Sequence, residues 1–154
     1  AGGLSLNHAD VALPSLALRV TERFASQSPK HKLVTDFPAN FPIIFGDENR
    51  LEQVVSNLVS NALKYASEGE IKVGGTALPE QVIVCVSDEG TGIDARDIPH
   101  IFDRFYRSTN AVKQTKGAGL GLYLARAIVE AHGGRIWADA STDSGAKICF
   151  SLPR

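Results

Sequence analysis

Residues 47–66 constrain the fold of this chain most, because two periodic patterns are superposed on them. Apolar side chains recur at three- and four-residue steps, which predicts one buried face of an amphipathic helix. These apolar residues are Leu51, Val54, Val55, Leu58, Val59 and Ala62. A polar stripe lies beside them, and it consists of Gln53, Asn57, Asn61, Lys64 and Tyr65. The stripe is either a solvated helix face or a row of amide oxygens and an ammonium group suited to a metal ion and phosphates.

Composition places the chain among ordinary globular domains. Its 154 residues are 44% hydrophobic and 21% charged, which suits one domain with a real core. The net charge of −1 favours neither nucleic acid nor a membrane surface. The chain opens at Ala1 without a Met or a signal peptide, so we expect a fragment of a longer protein. Cys85 and Cys149 lie in strand-like runs without CxxC spacing, which predicts reduced core thiols of a cytoplasmic protein.

Apolar periodicity and turn residues predict an α+β fold. Helices are expected over 13–27, 47–66 and 119–131, with Asp47 as the N-cap of the second. Strands are expected over 33–37, 43–45, 70–76, 81–87, 135–140 and 146–152, the last four as two hairpins. We therefore predict a two-layer sandwich: a mixed, mostly antiparallel sheet of about five strands with three main helices on one face.

A first glycine cluster, Asp88-Glu89-Gly90-Thr91-Gly92-Ile93, directly follows a strand that is apolar on both faces. Glycines at such a place allow positive φ and close approach of the backbone to a flat ligand. A carboxylate at the strand end can accept a hydrogen bond from an exocyclic amine. The alternative is a strand-to-helix turn capped by the Asp.

A second glycine cluster, Gly117-Ala118-Gly119-Leu120-Gly121-Leu122, opens the predicted helix over 119–131. Free N–H groups and the positive end of the helix dipole make such a turn suited to phosphate. It is neither a P-loop nor a good dinucleotide fingerprint. A hinge packed for small size is the alternative.

The segment between the two clusters is unusually basic. Residues 94–116 carry five Lys and Arg against three Asp, a balance of +2 in a chain of −1. Apolar anchors are supplied by Ile101, Phe102, Phe105 and Tyr106. A long basic segment with apolar anchors predicts a lid, over about 94–117, that closes on an anionic ligand.

The four motifs occur in a characteristic order: the Asn-bearing helix, Asp-x-Gly-x-Gly, Ile-Phe-x-Arg-Phe-Tyr-Arg, and Gly-x-Gly-Leu-Gly. In this order the chain resembles the catalytic, ATP-binding domain of bacterial two-component sensor histidine kinases. That domain belongs to the GHKL superfamily shared with type II topoisomerases, the heat-shock chaperone and the mismatch-repair ATPase. The resemblance covers about Leu4 to Pro153 and implies one Bergerat-type ATP-binding domain over 1–154.

The resemblance implies that the chain binds ATP and Mg²⁺. Asn61 corresponds to the magnesium ligand, and Asp88 to the carboxylate that accepts from the adenine amino group. Lys64 and Arg107 correspond to phosphate contacts and, with Asn57, are the expected catalytic residues. The other positions expected to contact nucleotide are Asn57, Tyr65, Gly90, Gly92, Ile93, Gly117, Gly119, Leu120, Gly121 and Leu122. Phe102 and Phe105 are expected to anchor the lid.

Two features refine the implied activity. Hydrolysing relatives carry a Glu where Asn57 stands, and because an amide is no general base at neutral pH, we expect slow attack by water. None of the four histidines lies in the sequence context of the family's phosphoacceptor. The domain is therefore expected to bind ATP without phosphorylating itself. His132 is expected to be structural and His8, His31 and His100 to be surface residues.

The implied function is transfer of the γ-phosphoryl group to a histidine on a separate dimerisation domain of the same kinase, whose helical phosphoacceptor segment is absent here. A response-regulator receiver domain would be the next partner. We expect no nucleic acid, no direct membrane contact, a monomeric isolated domain and a cytoplasmic location. The alternatives are a structural ATPase of the topoisomerase kind, a serine kinase of the anti-sigma type, and a degenerate regulatory module without kinase activity.

Overall fold

The computed structural model describes residues 4–90, 92–103, 121–139 and 145–154. Within these ranges the helices are α1 (Leu13–Ala25), α2 (Glu48–Tyr65) and α3 (Gly121–Ala131). The strands are β1 (Ala9–Val11), β2 (His31–Asp36), β3 (Ile44–Gly46), β4 (Gly69–Ala77), β5 (Gln81–Asp88), β6 (Arg135–Ala138) and β7 (Lys147–Pro153). A 3₁₀ turn spans Ile98–His100. Each of these helices is too short or too polar to cross a bilayer.

Five strands form one open sheet in the order β2-β4-β5-β7-β6. The β2–β4 pair is parallel and the other three pairs are antiparallel. The predicted mixed, mostly antiparallel sheet of five strands is thereby confirmed, with β5 at its centre. The short strands β1 and β3 form a separate antiparallel pair.

The helices cover one face of the sheet, because buried and more exposed side chains alternate along its strands. Val82, Val84 and Val86 of β5 are buried, whereas the side chains between them are only half-buried. The buried faces of α1 and α2 pack on the same core, with Leu16 of α1 and Leu51 of α2 completely enclosed. The core thus lies between one sheet face and the helices, as a two-layer sandwich requires.

Asp47 fixes the start of α2. Its Oδ1 accepts from the backbone N–H of Arg50 at 3.2 Å, which confirms the predicted N-cap. Its Oδ2 accepts from the backbone N–H of Asn7 at 2.9 Å, so the same carboxylate also holds the segment before β1. The Asn7 bond, followed by the Arg50 bond, lowers the pKa of Asp47 despite burial. The ionised carboxylate therefore stabilises the fold.

His132 joins the end of α3 to the start of α2. Its Nε2 accepts from the backbone N–H of Asp47 at 3.0 Å. Its Nδ1 must then carry the proton, and it lies 2.8 Å from the carbonyl oxygen of Ile128. His132 is structural, as predicted, and His8 and His100 are exposed, as predicted. The prediction that His31 is a surface residue is wrong: its ring is half-buried and hydrogen-bonded at both nitrogens.

Cys85 and Cys149 form a disulfide, so the prediction of two reduced thiols is wrong. The two residues are direct partners in the antiparallel register of β5 and β7, with Cα atoms 4.0 Å apart. Directly opposed residues of an antiparallel pair hold their Cβ atoms close enough for a disulfide bond to join two cysteines there. Spacing along the chain does not show this, because the pairing depends on the register of strands 64 residues apart.

Candidate functional site

The polar stripe of α2 lies where the helical period predicts. Asn57 and Asn61 are half-buried, and Lys64, near the end of the helix, is exposed. Steps of four and three residues put these side chains on one side of the helix. The amide groups therefore stand next to the buried face, and the ammonium group extends into solvent.

Asn57 connects α2 to the start of α3. Its side-chain Nδ2 donates to the backbone carbonyl oxygen of Gly121 at 3.1 Å. Together with the His132–Asp47 bond, this contact sets α2 and α3 antiparallel, because the first residue of α3 meets the middle of α2 and its end meets the beginning of α2. The remaining turns of α2, which carry Asn61 and Lys64, continue beyond the first residue of α3.

Asp88 ends β5 and is 8% exposed. Its Oδ1 accepts from the backbone N–H groups of Gly90, at 2.8 Å, and Ala146, at 3.2 Å. In the part of the chain that the structure describes, no hydrogen bond falls on Oδ2. Among the described residues, one carboxylate oxygen is thus fixed by the protein, and the other can accept from a further donor.

The pKa of Asp88 is raised above its ordinary value. Burial is the main cause, because it disfavours the charged form. The N–H groups of Gly90 and Ala146 and the nearby His31 act in the opposite direction. These interactions offset part of the cost of burying the carboxylate.

Glycine is required at positions 90 and 92 for two different reasons. A Cβ on Gly90 would lie 2.7 Å from the carbonyl oxygen of Tyr65 and 2.9 Å from Cα of Ala66, so this residue packs on the chain just after α2. Gly92 has φ of +81°, which confirms the predicted need for positive φ in this cluster. The turn after β5 therefore contacts the end of the helix that carries the polar stripe.

Gly145 and Ala146 belong to the site but were missed from the sequence. The backbone N–H of Ala146 donates to the Asp88 carboxylate, and its carbonyl oxygen accepts from the backbone N–H of Asp88 at 2.9 Å. A Cβ on Gly145 would collide with the carbonyl oxygen of Asp88. The signal that could have found them is strand register: Lys147 pairs with Ser87, so the residues before β7 must lie beside Asp88.

Only part of the predicted lid and of the second glycine cluster lies among the described residues. Ile101 is buried and Phe102 packs against the core, as expected of lid anchors. Ile93 and Leu122, which were predicted to contact the nucleotide, also pack against the core. Gly121 begins α3, and a Cβ there would meet nothing within 4 Å. The predicted site residues Arg107, Gly117, Gly119 and Leu120, with the lid anchors Phe105 and Tyr106, lie outside the described residues.

The family described as histidine kinase-, DNA gyrase B-, and HSP90-like ATPase matches residues 46–154. The chain is 37% identical to the sensor histidine kinase WalK of Bacillus subtilis over 139 residues, which is 87% of this chain and 23% of that kinase. It therefore spans about a quarter of the length of this relative. These matches confirm the resemblance that the order of motifs predicted.

Solved structures give the same result. Full-length ShkA in complex with AMPPNP superposes with a TM-score of 0.86 and 28% identity, covering 99% of this chain and 32% of ShkA. The histidine kinase ThkA in complex with the response regulator protein TrrA superposes with a TM-score of 0.80 and 27% identity, covering 96% of this chain and 42% of ThkA. The chain belongs to the family of histidine kinase-, DNA gyrase B- and HSP90-like ATPases, and its relatives within that family are sensor histidine kinases.

Proposed function

We propose that this domain binds Mg²⁺–ATP and passes the γ-phosphoryl group to a histidine on a separate dimerisation domain. The observation that carries the proposal is that two places along α2 meet different parts of the site. Asn57, in the middle of α2, meets the start of α3, and Tyr65 and Ala66, at the C-terminal end of α2, contact the Gly90 turn beside Asp88. Eight residues of helix separate Asn57 from Tyr65, or about 12 Å. A nucleotide with its base at Asp88 and its phosphates toward α3 suits that span.

Asp88 would recognise the base. Its Oδ1 is held by two backbone donors, which leaves Oδ2 to accept from an exocyclic amine. A hydrogen bond to a charged, largely desolvated acceptor contributes about 1.5–3 kcal/mol. Asp88 therefore favours an amino-purine over a purine that has a carbonyl group at the same position.

The phosphate end would be served by groups on α2, α3 and the lid. Lys64 is exposed near the end of the polar stripe and can reach toward anionic oxygens. The residues proposed to complete this end are Arg107, Gly117, Gly119, Leu120 and Gly121. A cation, an arginine and a helix N-terminus supply the positioning and charge neutralisation on which phosphoryl transfer depends.

Asn61 fits a magnesium ion by its chemistry. An amide oxygen is a hard, neutral donor, and Mg²⁺ bound with a nucleotide takes few protein ligands and keeps phosphate oxygens and waters. The described residues contain no cluster of three His, Cys, Asp or Glu side chains that would form an all-protein cage. Bound there, the ion would neutralise phosphate charge.

Asn57 supports transfer rather than hydrolysis. Its side-chain nitrogen is engaged with Gly121, and its amide cannot take a proton from water at neutral pH. A domain that spares the γ-phosphate suits a kinase that delivers it to a histidine. The complex of ThkA with TrrA supports a response regulator as the protein that next accepts the phosphoryl group, and such a domain would work in the cytoplasm, where ATP is available.

The test uses the 154-residue chain and a purified histidine-bearing dimerisation domain from a related sensor kinase. Calorimetry with AMPPNP should show binding that strengthens when Mg²⁺ is added. Labelled ATP should transfer phosphate to the dimerisation domain, and not when its histidine is replaced by Gln. Absence of nucleotide binding contradicts the proposal as a whole. Binding without transfer to any related domain supports the degenerate module instead.

A further inference from the structure

His31 bridges two parts of the chain at the edge of the sheet. It is the first residue of β2; its Nδ1 lies 2.6 Å from Oγ of Ser28, and its Nε2 lies 2.5 Å from the carbonyl oxygen of Ala66. Because a carbonyl oxygen only accepts, Nε2 carries the proton, and in the neutral ring Nδ1 accepts from the Ser28 hydroxyl. The ring therefore has one orientation, set by Ser28 and directed at Ala66.

Ala66 is the point at which the segment after α2 meets the turn after Asp88. It is buried, caps α2 through its N–H bond to Ala62 at 2.9 Å, and leaves the helix in extended conformation. Cα of Ala66 and the preceding carbonyl group pack directly on Gly90. Gly90 in turn donates to Oδ1 of Asp88. A shift of the Ala66 peptide would therefore be transmitted to the carboxylate through a single packed residue.

Two further hydrogen bonds limit how the segment 66–70 can move. Oε1 of Glu89 accepts from the backbone N–H of Glu70 at 2.8 Å, and Gly69 donates to the carbonyl oxygen of Lys30 at 3.2 Å. The segment 66–70 is thus fastened to the start of β2 on one side and to the turn after β5 on the other. The bond from His31 acts on Ala66, the residue of this segment that packs on Gly90.

We infer that His31 is a positioning residue for the base end of the nucleotide site: oriented by Ser28, it holds Ala66 so that Gly90 and the Asp88 carboxylate stand in the geometry that recognises an amino-purine. The inference rests on the proposed function, because it takes a purine nucleotide as the ligand at Asp88. His31 itself contacts the protein backbone and has no role in the chemistry of transfer.

The test compares two amide replacements of the ring. In His31→Gln the side-chain nitrogen takes the place of Nε2 and keeps a donor for Ala66, whereas in His31→Asn the shorter amide reaches only the place of Nδ1 and loses that donor. Affinities for ADP and for inosine diphosphate, which lacks the amino group, are measured by calorimetry. Wild type and His31→Gln should prefer ADP. His31→Asn should lose about tenfold in ADP affinity, the loss of one hydrogen bond, with little change for inosine diphosphate.

Two further measurements separate positioning from general destabilisation. In the ligand-free protein, exchange of the Gly90 amide should accelerate in His31→Asn but not in His8→Asn, a matched change at an exposed histidine. If His31→Asn does not fold, Ser28→Ala takes its place as the test. It frees the ring without removing it and should likewise reduce the preference for ADP. An unchanged preference for ADP in His31→Asn, or in Ser28→Ala, overturns the inference and leaves the proposed function standing. Failure of the wild type to bind either nucleotide overturns both.

Discussion

The side-chain nitrogen of Asn57 lies 3.1 Å from the carbonyl oxygen of Gly121 and donates a hydrogen bond to it. This bond joins the middle of α2 to the first residue of α3, and it orients the Asn57 amide with its nitrogen toward α3. A side chain without an N–H group at position 57 cannot form it. Asn57, which is proposed to disfavour hydrolysis, therefore also has a structural part in joining the two helices.

Asn57→Asp should lower the free energy of unfolding by about 1 kcal/mol, because a carboxylate cannot donate and stands against the Gly121 carbonyl oxygen. Urea denaturation at pH 7 measures the change. Gln53→Glu, one turn earlier on the same stripe, introduces the same charge and should alter stability by less than about 0.5 kcal/mol. Equal losses in both variants would show that charge on α2, rather than the bond to Gly121, is responsible.

Asp88→Asn should make the domain no less stable at neutral pH while weakening nucleotide binding. Burial raises the pKa of Asp88, so ionising it costs more free energy in the folded chain than in the unfolded chain. That cost is fully present above the raised folded pKa and disappears as the pH falls below the ordinary value of 3.8. An asparagine oxygen can still accept from Gly90 and Ala146, so the stability gap between variant and wild type should close on acidification.

The same variant should bind ADP at least about tenfold more weakly, because the charged acceptor for the amino group is lost. Denaturation between pH 3 and 8 and calorimetry at pH 7 provide the two measurements. Asp94→Asn is a control in which stability should depend on pH in the opposite direction. The side-chain hydrogen bond from Arg96 lowers the pKa of Asp94, so the ionised Asp94 stabilises the fold at neutral pH and this stabilisation is lost on acidification. Unchanged ADP affinity in Asp88→Asn would remove Asp88 from the site.

Much of the fold and half of the site follow from local patterns. The stripe of α2 and the position of Asp88 at a strand end were predictable, because helical period and strand alternation place residues within a single element. Gly90 was predictable as a position of close approach, but the structure shows that its neighbours are Tyr65 and Ala66, which no local pattern indicates. The β4–β5 and β6–β7 hairpins were predictable as well, whereas the pairing of β2 with β4 and of β5 with β7 was not.

What the sequence did not show depends on contacts between distant elements. Ala146 reaches Asp88, and Cys149 reaches Cys85, only through the register of β7 on β5. His31 was misjudged because its partner is a backbone carbonyl group 35 residues away. Every residue has such a group, so the sequence does not indicate which one accepts the hydrogen bond. Register and main-chain acceptors are set by the packed structure as a whole.

The disulfide between Cys85 and Cys149 should contribute strongly to stability in oxidising solution. It closes a separation of 64 residues, for which the chain-entropy estimate is about 4 kcal/mol. Dithiothreitol should therefore lower the free energy of unfolding of the wild type, but not that of the Cys85→Ala/Cys149→Ala double variant. Alkylation followed by intact mass measures the thiols directly. Two alkylated cysteines in protein purified and unfolded without reductant would contradict the disulfide.

Gly145→Ala should damage both stability and nucleotide binding, because this residue combines positive φ with direct contact to Asp88. Its φ is +73°, and an added Cβ would collide with the Asp88 carbonyl oxygen and lie 2.7 Å from the carbonyl carbon. Gly133 is a matched control, since its φ is +81° but an added Cβ would come no closer than 3.4 Å to the Pro153 side chain. Both alanines incur the left-handed conformation, about 1–2 kcal/mol.

Only Gly145→Ala also forces backbone apart, which should add about 1–3 kcal/mol to the loss of stability. Because Ala146 donates to the Asp88 carboxylate, that displacement should reduce ADP affinity as well, whereas Gly133→Ala should bind ADP as the wild type does. Urea denaturation and calorimetry on the two variants measure both effects. If the two alanines destabilise the domain equally and leave ADP binding unchanged, the contact of Gly145 with the end of β5 is not a determinant of the site.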